Sequence, residues 1–178
     1  MNWSYIAGYF DGEACLLLGV AQDKRHNTWK SLVDGWNIFP NLCVTSYDKT
    51  VLAEIKEYLE SRRVKVYKLE TKTIRYSQTD NATRLSIFGW DNVRTVCKLL
   101  ITYAISKREQ YEKFLELYDI WDSRKELPGH PYHRKGWTKT EFITAMRKVD
   151  EINSKKCKIR GKYNSAYFIN LWNISSGL

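Results

Sequence analysis

Asp11 and Glu13 are the residues of this 178-residue chain whose types and spacing are best suited to chemistry. They flank Gly12 at the end of the segment Tyr5–Ala14, in which apolar residues recur at helical spacing. Carboxylates near a helix C-terminus face the negative end of the macrodipole and need a compensating cation. Carboxylates and a freed backbone carbonyl are hard oxygen ligands of the kind that Mg²⁺ takes. The segment therefore indicates a candidate metal site, with a solvated turn as the alternative.

The predicted helix has two distinct faces. One is apolar and is expected to lie against a core: it contains Trp3, Ile6, Ala7 and Phe10. The other carries the small residues Ser4, Gly8 and Gly12, four positions apart. A glycine costs about 1 kcal/mol relative to alanine in a helix, and close approach of a second helix would offset that cost. Gly12 also suits a left-handed residue at the helix end.

The segment resembles the signature of the LAGLIDADG homing endonucleases, which make double-strand cuts at long DNA sites; the matching residues are Ile6-Ala7-Gly8-Tyr9-Phe10-Asp11-Gly12-Glu13-Ala14. The resemblance implies an α+β fold with an antiparallel β-sheet saddle and packed helices. It further implies that Glu13 binds catalytic Mg²⁺ (or Mn²⁺), that Gly12 offers its carbonyl, and that Asp11 is mainly structural. Glu13 stands where the family usually has Asp, and Ala14 replaces the final Gly.

A single copy of the signature occurs, and 178 residues are too few for a fused pair. The resemblance therefore implies a homodimer in which two signature helices pack through Ser4, Gly8 and Gly12. Their approach would bring two Glu13 carboxylates to shared metals. The twofold axis of such a dimer predicts a palindromic or pseudo-palindromic DNA site.

Periodicity beyond the signature predicts the order helix, two strands, helix, two strands, helices, which is an α+β domain with an antiparallel sheet. The predicted strands cover residues 16–22, 36–46, 64–76 and 83–90. Pro40 interrupts the second strand and favours an edge position or a bulge. Asp48 and Asp91 are predicted helix caps.

A long helix is predicted from about Ser106 to Arg124. Thr138-Lys139-Thr140-Glu141 forms a capping box before another helix. We expect a core domain over residues 1–126 and a C-terminal extension, with a helix and a basic loop that contacts DNA, over residues 127–178.

Positive charge is concentrated after the first third of the chain. Residues 1–60 carry 5 Lys and Arg against 8 Asp and Glu, whereas residues 61–178 carry 24 against 12. The net charge of +9 favours a polyanionic partner. Solubility alone is the alternative. The aromatic content of 14% favours a packed domain over a disordered basic tail.

Polar residues on the predicted strands and hairpins are candidates for reading DNA, because a two-stranded ribbon fits the major groove. They are Gln22, Lys24, Arg25, Asn27, Lys30, Asn37, Asn41, Lys72, Arg75, Ser77 and Gln78. A basic run between two folded-looking segments is expected to contact phosphates through Lys155, Lys156, Lys158, Arg160 and Lys162. Polar hairpins of this kind also occur in proteins that never touch DNA.

Hydrolysis assisted by two metal ions needs cations near the developing charge. The resemblance places Lys107 at the position of a basic residue close to the scissile phosphate, with an ordinary exposed lysine as the alternative. The family positions of a water-organising Gln and an Arg hold Ser46 and Thr50, which supply neither group. Lys49 is a candidate substitute.

Two classes of function follow. The leading interpretation is a Mg²⁺-dependent, homodimeric, site-specific endonuclease acting on double-stranded DNA. The alternative is a binding protein on the same scaffold, either an intron RNA maturase or a DNA-binding regulator without cleavage. Glu70-Thr71-Lys72 matches the Glu-x-Lys of restriction-type nucleases only weakly.

Four widely separated cysteines and the absence of a secretory signal sequence favour a reduced, intracellular compartment, in the cytoplasm or a genome-containing organelle. The apolar run of the signature helix is too short to span a membrane, so no membrane partner is expected.

Overall fold

The computed structural model describes residues 1–22, 33–73, 81–124, 137–154 and 163–174. These residues contain both helices and strands, which confirms the α+β class. In chain order the elements are α1 (Trp3–Glu13), β1 (Ala14–Gln22), β2 (Trp36–Ser46), α2 (Lys49–Ser61), β3 (Lys68–Thr73), β4 (Asn81–Phe88), α3 (Trp90–Leu100), α4 (Arg108–Asp122), α5 (Lys139–Ser154) and α6 (Ser165–Trp172).

The described strands form one sheet in the order β1-β2-β4-β3, with β4 antiparallel to both β2 and β3. The strand predicted at residues 36–46 coincides with β2. Of the two placements predicted for Pro40, an edge or a bulge, the edge is wrong, because β2 is an inner strand. Its ladder with β4 begins at Asn41, so Pro40, which lacks an N–H, lies just outside those paired residues.

Helix α1 begins where the side chain of Asn2 accepts the N–H of Tyr5 at 2.9 Å. Its apolar face is confirmed by the burial of Ile6, Ala7 and Phe10. The left-handed turn predicted at Gly12 is wrong: the helix continues to Glu13, and the chain leaves it through extended backbone at Ala14. Both acids of the signature therefore lie on the last turn of α1.

Local capping was predicted with mixed success. Asp48 caps α2 by accepting the N–H groups of Thr50 and Val51. Asp91 does not cap α3, because the cap is Gly89 at a φ of 89°, and Asp91 lies in the first turn. The capping box of α5 is confirmed: Thr138 Oγ1 accepts the Glu141 N–H at 3.2 Å, and Glu141 Oε2 accepts the Thr138 N–H at 2.8 Å.

The chain divides into two compact units, which we call unit 1 (Met1–Leu17 and Pro40–Leu115) and unit 2 (Leu18–Phe39 and Glu116–Leu178). The predicted boundary between residues 126 and 127 falls outside the described residues and stays a prediction. In unit 1, α1 packs against α3, and α2 packs against β4. The interior of this unit is aliphatic and aromatic and includes Phe10, Leu52, Leu85, Val93, Tyr111 and Phe114.

Unit 2 is built around an aromatic cluster that we define as Trp36, Trp137, Phe142, Tyr163, Tyr167, Phe168 and Trp172. Phe168 is fully buried, and its ring centroid lies 5.0 Å from those of Trp36 and Phe142. The cluster thus joins the start of β2 to α5 and α6. No helix in the described part of the chain has the length and apolar character needed to cross a membrane.

Candidate active site

The last turn of α1 is fixed by the side chain of Asp11. Its carboxylate accepts three successive backbone N–H groups, from Ile105 at 2.6 Å, Ser106 at 3.0 Å and Lys107 at 3.2 Å. Burial raises the pKa of Asp11, but the three N–H bonds and the Lys107 charge outweigh it, so the pKa lies below its ordinary value of 3.8. Asp11 is therefore tied to the segment that leads into α4.

The side chain of Lys107 joins the same two segments, but it binds the backbone of α1. Its Nζ donates to the backbone carbonyls of Phe10 and Asp11, and the residue is only 1% exposed. Ser106 Oγ donates to the Asp11 carbonyl at 3.3 Å. The buried ammonium thus faces the negative end of the α1 macrodipole and stabilises it. Lys107 is not the ordinary exposed lysine of the alternative interpretation.

Gly12 and Glu13 follow directly and are both exposed. They offer a backbone carbonyl and a carboxylate, which are oxygen donors that fit Mg²⁺. One chain supplies few such donors, and the described residues hold no group of three or more His, Cys, Asp or Glu that could bind a metal ion. The arrangement can contribute part of a coordination shell at an accessible helix end.

The small-residue face of α1 is open. Ser4, Gly8 and Gly12 are exposed, and a Cβ built on either glycine would meet no atom within 4 Å. Beside this face the rings of Tyr5 and Tyr9 stack with centroids 6.4 Å apart. Close packing among the described residues therefore does not account for the two glycines.

The candidate DNA-reading residues of β2 lie where alternation predicts. Asn37 and Asn41 are half-buried, whereas Ile38 and Leu42 of the opposite face are buried. Asn37 Oδ1 accepts the N–H of Ile38 at 2.9 Å. Asn41 Oδ1 is buried and has no hydrogen-bond partner among the described residues.

Two further candidates lie on described strands. Gln22 is exposed at the end of β1, and its Nε2 donates to the backbone carbonyl of Asp34 at 3.0 Å. Lys72 lies on β3, opposite Ala82 in register. The other DNA-contact candidates lie outside the described residues: Lys24, Arg25, Asn27, Lys30, Arg75, Ser77, Gln78, Lys155, Lys156, Lys158, Arg160 and Lys162.

Sequence reasoning missed Arg84 on β4. Its register partners are Thr45 on β2 and Glu70 on β3, so it shares the sheet face of Asn41. Its Nη2 donates to Cys43 Sγ at 3.0 Å, and its Nε is buried and finds no hydrogen-bond partner in the described part of the chain. The signal was present, because Arg84 alternates with the buried Leu85 and Ile87.

The residues at the positions of the family's water-organising groups have other contacts. Ser46 Oγ accepts the N–H of Asp48 at 3.1 Å, and Thr50 donates its N–H to the Asp48 carboxylate at 2.9 Å. Lys49, the candidate substitute, is exposed in the first turn of α2. Ser46 and Thr50 thus take part in the cap of α2.

Comparison with protein-family models finds no match, and comparison with curated proteins finds none. Solved structures do match. The homing endonuclease I-CvuI, in complex with the I-CreI target DNA, is 12% identical with a TM-score of 0.68, and the match covers 96% of this chain and 92% of that one. The archaeal intron-encoded homing endonuclease I-Vdi141I, complexed with DNA, is 15% identical with a TM-score of 0.67 and 97% coverage of both chains.

A longer protein matches over part of its length. The LAGLIDADG homing endonuclease I-SmaMI, bound to cleaved DNA, is 12% identical with a TM-score of 0.60. The match covers 97% of this chain but 48% of I-SmaMI. At these identities the likeness establishes the fold.

Proposed function

Because this chain has the fold of the LAGLIDADG homing endonucleases, we propose that it is a site-specific DNA endonuclease that acts as a Mg²⁺-dependent homodimer. The observation that carries the proposal is the exposed Gly12-Glu13 end of α1. Hydrogen bonds between Asp11 and Lys107 fix the position of this helix end. An accessible carboxylate on a rigid support is suited to phosphodiester hydrolysis.

Glu13 and Gly12 would hold the metal through a carboxylate and a carbonyl oxygen. When bound, Mg²⁺ supplies an activated water and stabilises the leaving oxygen. Glu13 is the residue to which we assign the metal, and Asp11 is already occupied by three N–H groups. Glu13 would thus bind the metal ion, whereas Asp11 holds the backbone of residues 105–107.

Dimerisation would complete the site. The open face of Ser4, Gly8 and Gly12 would allow a second α1 to approach closely, because a Cβ at either glycine meets, beyond the adjacent helix backbone, no atom of the described residues within 4 Å. The match to one chain of I-Vdi141I is nearly complete, whereas it spans 48% of I-SmaMI. This chain thus corresponds to one whole chain of I-Vdi141I but to about half of I-SmaMI, which supports a protein that supplies half of a twofold assembly.

Double-stranded DNA is the proposed substrate. The half-buried face with Asn41 and Arg84 carries an amide and a guanidinium, which are the side-chain types that can pair with adenine and guanine edges. The net charge of +9 favours a phosphate backbone. I-CvuI and I-Vdi141I were solved with DNA, which agrees with this proposal.

Cleavage of DNA selected from a randomised library tests the proposal. We expect the wild type to make double-strand breaks in selected sites with Mg²⁺ and none with EDTA. Glu13→Gln should bind the same sites but lose cleavage by about 100-fold or more, as expected for loss of a group that acts on the transition state. Glu57→Gln, at an exposed position on α2, is the matched control.

Tight metal-independent binding without cleavage by the wild type would contradict the endonuclease proposal. It would favour the alternative of a DNA-binding regulator, or of an intron RNA maturase if the bound nucleic acid is RNA.

A further inference from the structure

Lys107 is an unusual lysine, because few lysines in proteins are fully buried. It is 1% exposed, and its ammonium donates to the backbone carbonyls of Phe10 and Asp11. To touch a DNA phosphate the buried ammonium would have to become accessible at the protein surface. Its place in the fold thus argues against direct contact with the substrate.

The contacts of Lys107 and Asp11 are reciprocal. The Asp11 carboxylate binds the backbone N–H groups of residues 105–107, and the Lys107 ammonium binds the backbone carbonyls of residues 10 and 11. We call this arrangement the Asp11–Lys107 clamp. Each side chain holds the backbone of the other segment, so the clamp fixes both the position and the direction of the last turn of α1.

We propose that Lys107 is a positioning residue, whose ammonium holds the end of α1 so that the Gly12 carbonyl and the Glu13 carboxylate can bind one metal ion. The inference rests on the proposed function. It differs from the role that the family resemblance implies, in which Lys107 stands close to the scissile phosphate.

The two roles differ in how they respond to arginine. A phosphate contact tolerates arginine, which binds phosphate through two parallel N–H groups. A buried ammonium that fits between two carbonyls does not tolerate the larger, planar guanidinium. If Lys107 acts through the clamp, the Lys107→Arg variant should therefore not retain the function of the wild type.

The experiment measures Mn²⁺ binding to the purified protein by electron paramagnetic resonance, without reference to cleavage. We expect Lys107→Met and Lys107→Arg each to raise the Mn²⁺ dissociation constant about tenfold. Hydrogen exchange at the amides of residues 105–107 should be at least fivefold faster in both variants, because the clamp is opened. Lys98→Met, at an exposed position on α3, is the matched control and should change neither quantity.

The wild type provides a readout that does not depend on the variants folding. The ¹⁵Nζ resonance of Lys107 should be unchanged when the protein binds DNA. A shift of that resonance on DNA binding would overturn the inference. So would unchanged Mn²⁺ affinity in Lys107→Met together with normal cleavage by Lys107→Arg. A wild type that binds no Mn²⁺ would instead overturn the proposed function.

Discussion

Asp11 and Glu13 are two residues apart, yet their surroundings differ in kind. The Asp11 carboxylate accepts three backbone N–H groups, whereas Glu13 is exposed on the same helical turn. A carboxylate saturated by donors has little capacity for a metal ion. At the scale of single residues, the signature therefore combines one acid that holds the fold with one that is accessible to a ligand.

Replacing Asp11 with Asn should lower the free energy of unfolding at neutral pH by about 1.5–3 kcal/mol, the usual worth of hydrogen bonds to a charged group. The pKa of Asp11 is depressed in the folded state. Its contribution is therefore complete above the ordinary value of 3.8 and is lost as the pH falls through the lower folded value. Urea unfolding of both proteins at pH 7 and pH 3 checks this.

The difference in unfolding free energy between wild type and Asp11→Asn should shrink at the lower pH. A difference that stays constant or widens would contradict the assignment. Asp119→Asn, at an exposed position on α4, should show little difference at either pH.

At the scale of elements, α1 has one face committed to the core of unit 1 and one face open. Gly8→Leu should leave the isolated chain folded, because a Cβ at this position meets, outside the neighbouring helix backbone, no atom of the described part of the chain within 4 Å. It should prevent close approach of a second α1, so dimerisation and cleavage should fail together. Sedimentation velocity and the cleavage assay measure the two effects.

Gly8→Ala, with a much smaller side chain, should weaken the dimer less than Gly8→Leu. Glu54→Leu, at an exposed position on α2, serves as the control for an added leucine. Full cleavage activity from a monomeric Gly8→Leu protein would contradict the proposed interface.

Elements governed by neighbouring residues were predictable from the sequence. Asp48 and Thr138 cap helices through contacts three residues away or fewer, and both were correctly assigned. Asp91 was assigned wrongly because the positive φ of Gly89 sets the start of α3 instead. The burial of Lys107 could not be read locally, since its ammonium meets a carbonyl 97 positions earlier in the chain.

At the scale of the whole molecule, binding to DNA should depend steeply on salt, because the net charge is +9 and phosphate contacts release counterions. Lys156→Gln and Lys158→Gln, in the predicted phosphate-contacting run, should each reduce the slope of log K against log salt by about 1. They should weaken binding to all sequences alike. Fluorescence anisotropy over a range of salt concentrations measures the slope.

Lys56→Gln removes a cation that is paired with Glu60 on α2 at 3.4 Å and should leave the slope unchanged. A selective loss for one DNA sequence in Lys156→Gln would show base readout by that lysine instead of phosphate contact.

The tryptophans in the aromatic cluster of unit 2 also give the protein an intrinsic spectroscopic signal. Three of the seven tryptophans, Trp36, Trp137 and Trp172, belong to this cluster, whereas Trp3 and Trp90 lie in unit 1. Indoles packed edge to face with other rings give strong near-ultraviolet dichroism, which vanishes when the rings separate. Near-ultraviolet dichroism of variants that keep the tryptophans of one unit alone would therefore report, through denaturation experiments, whether the two units unfold together or in turn.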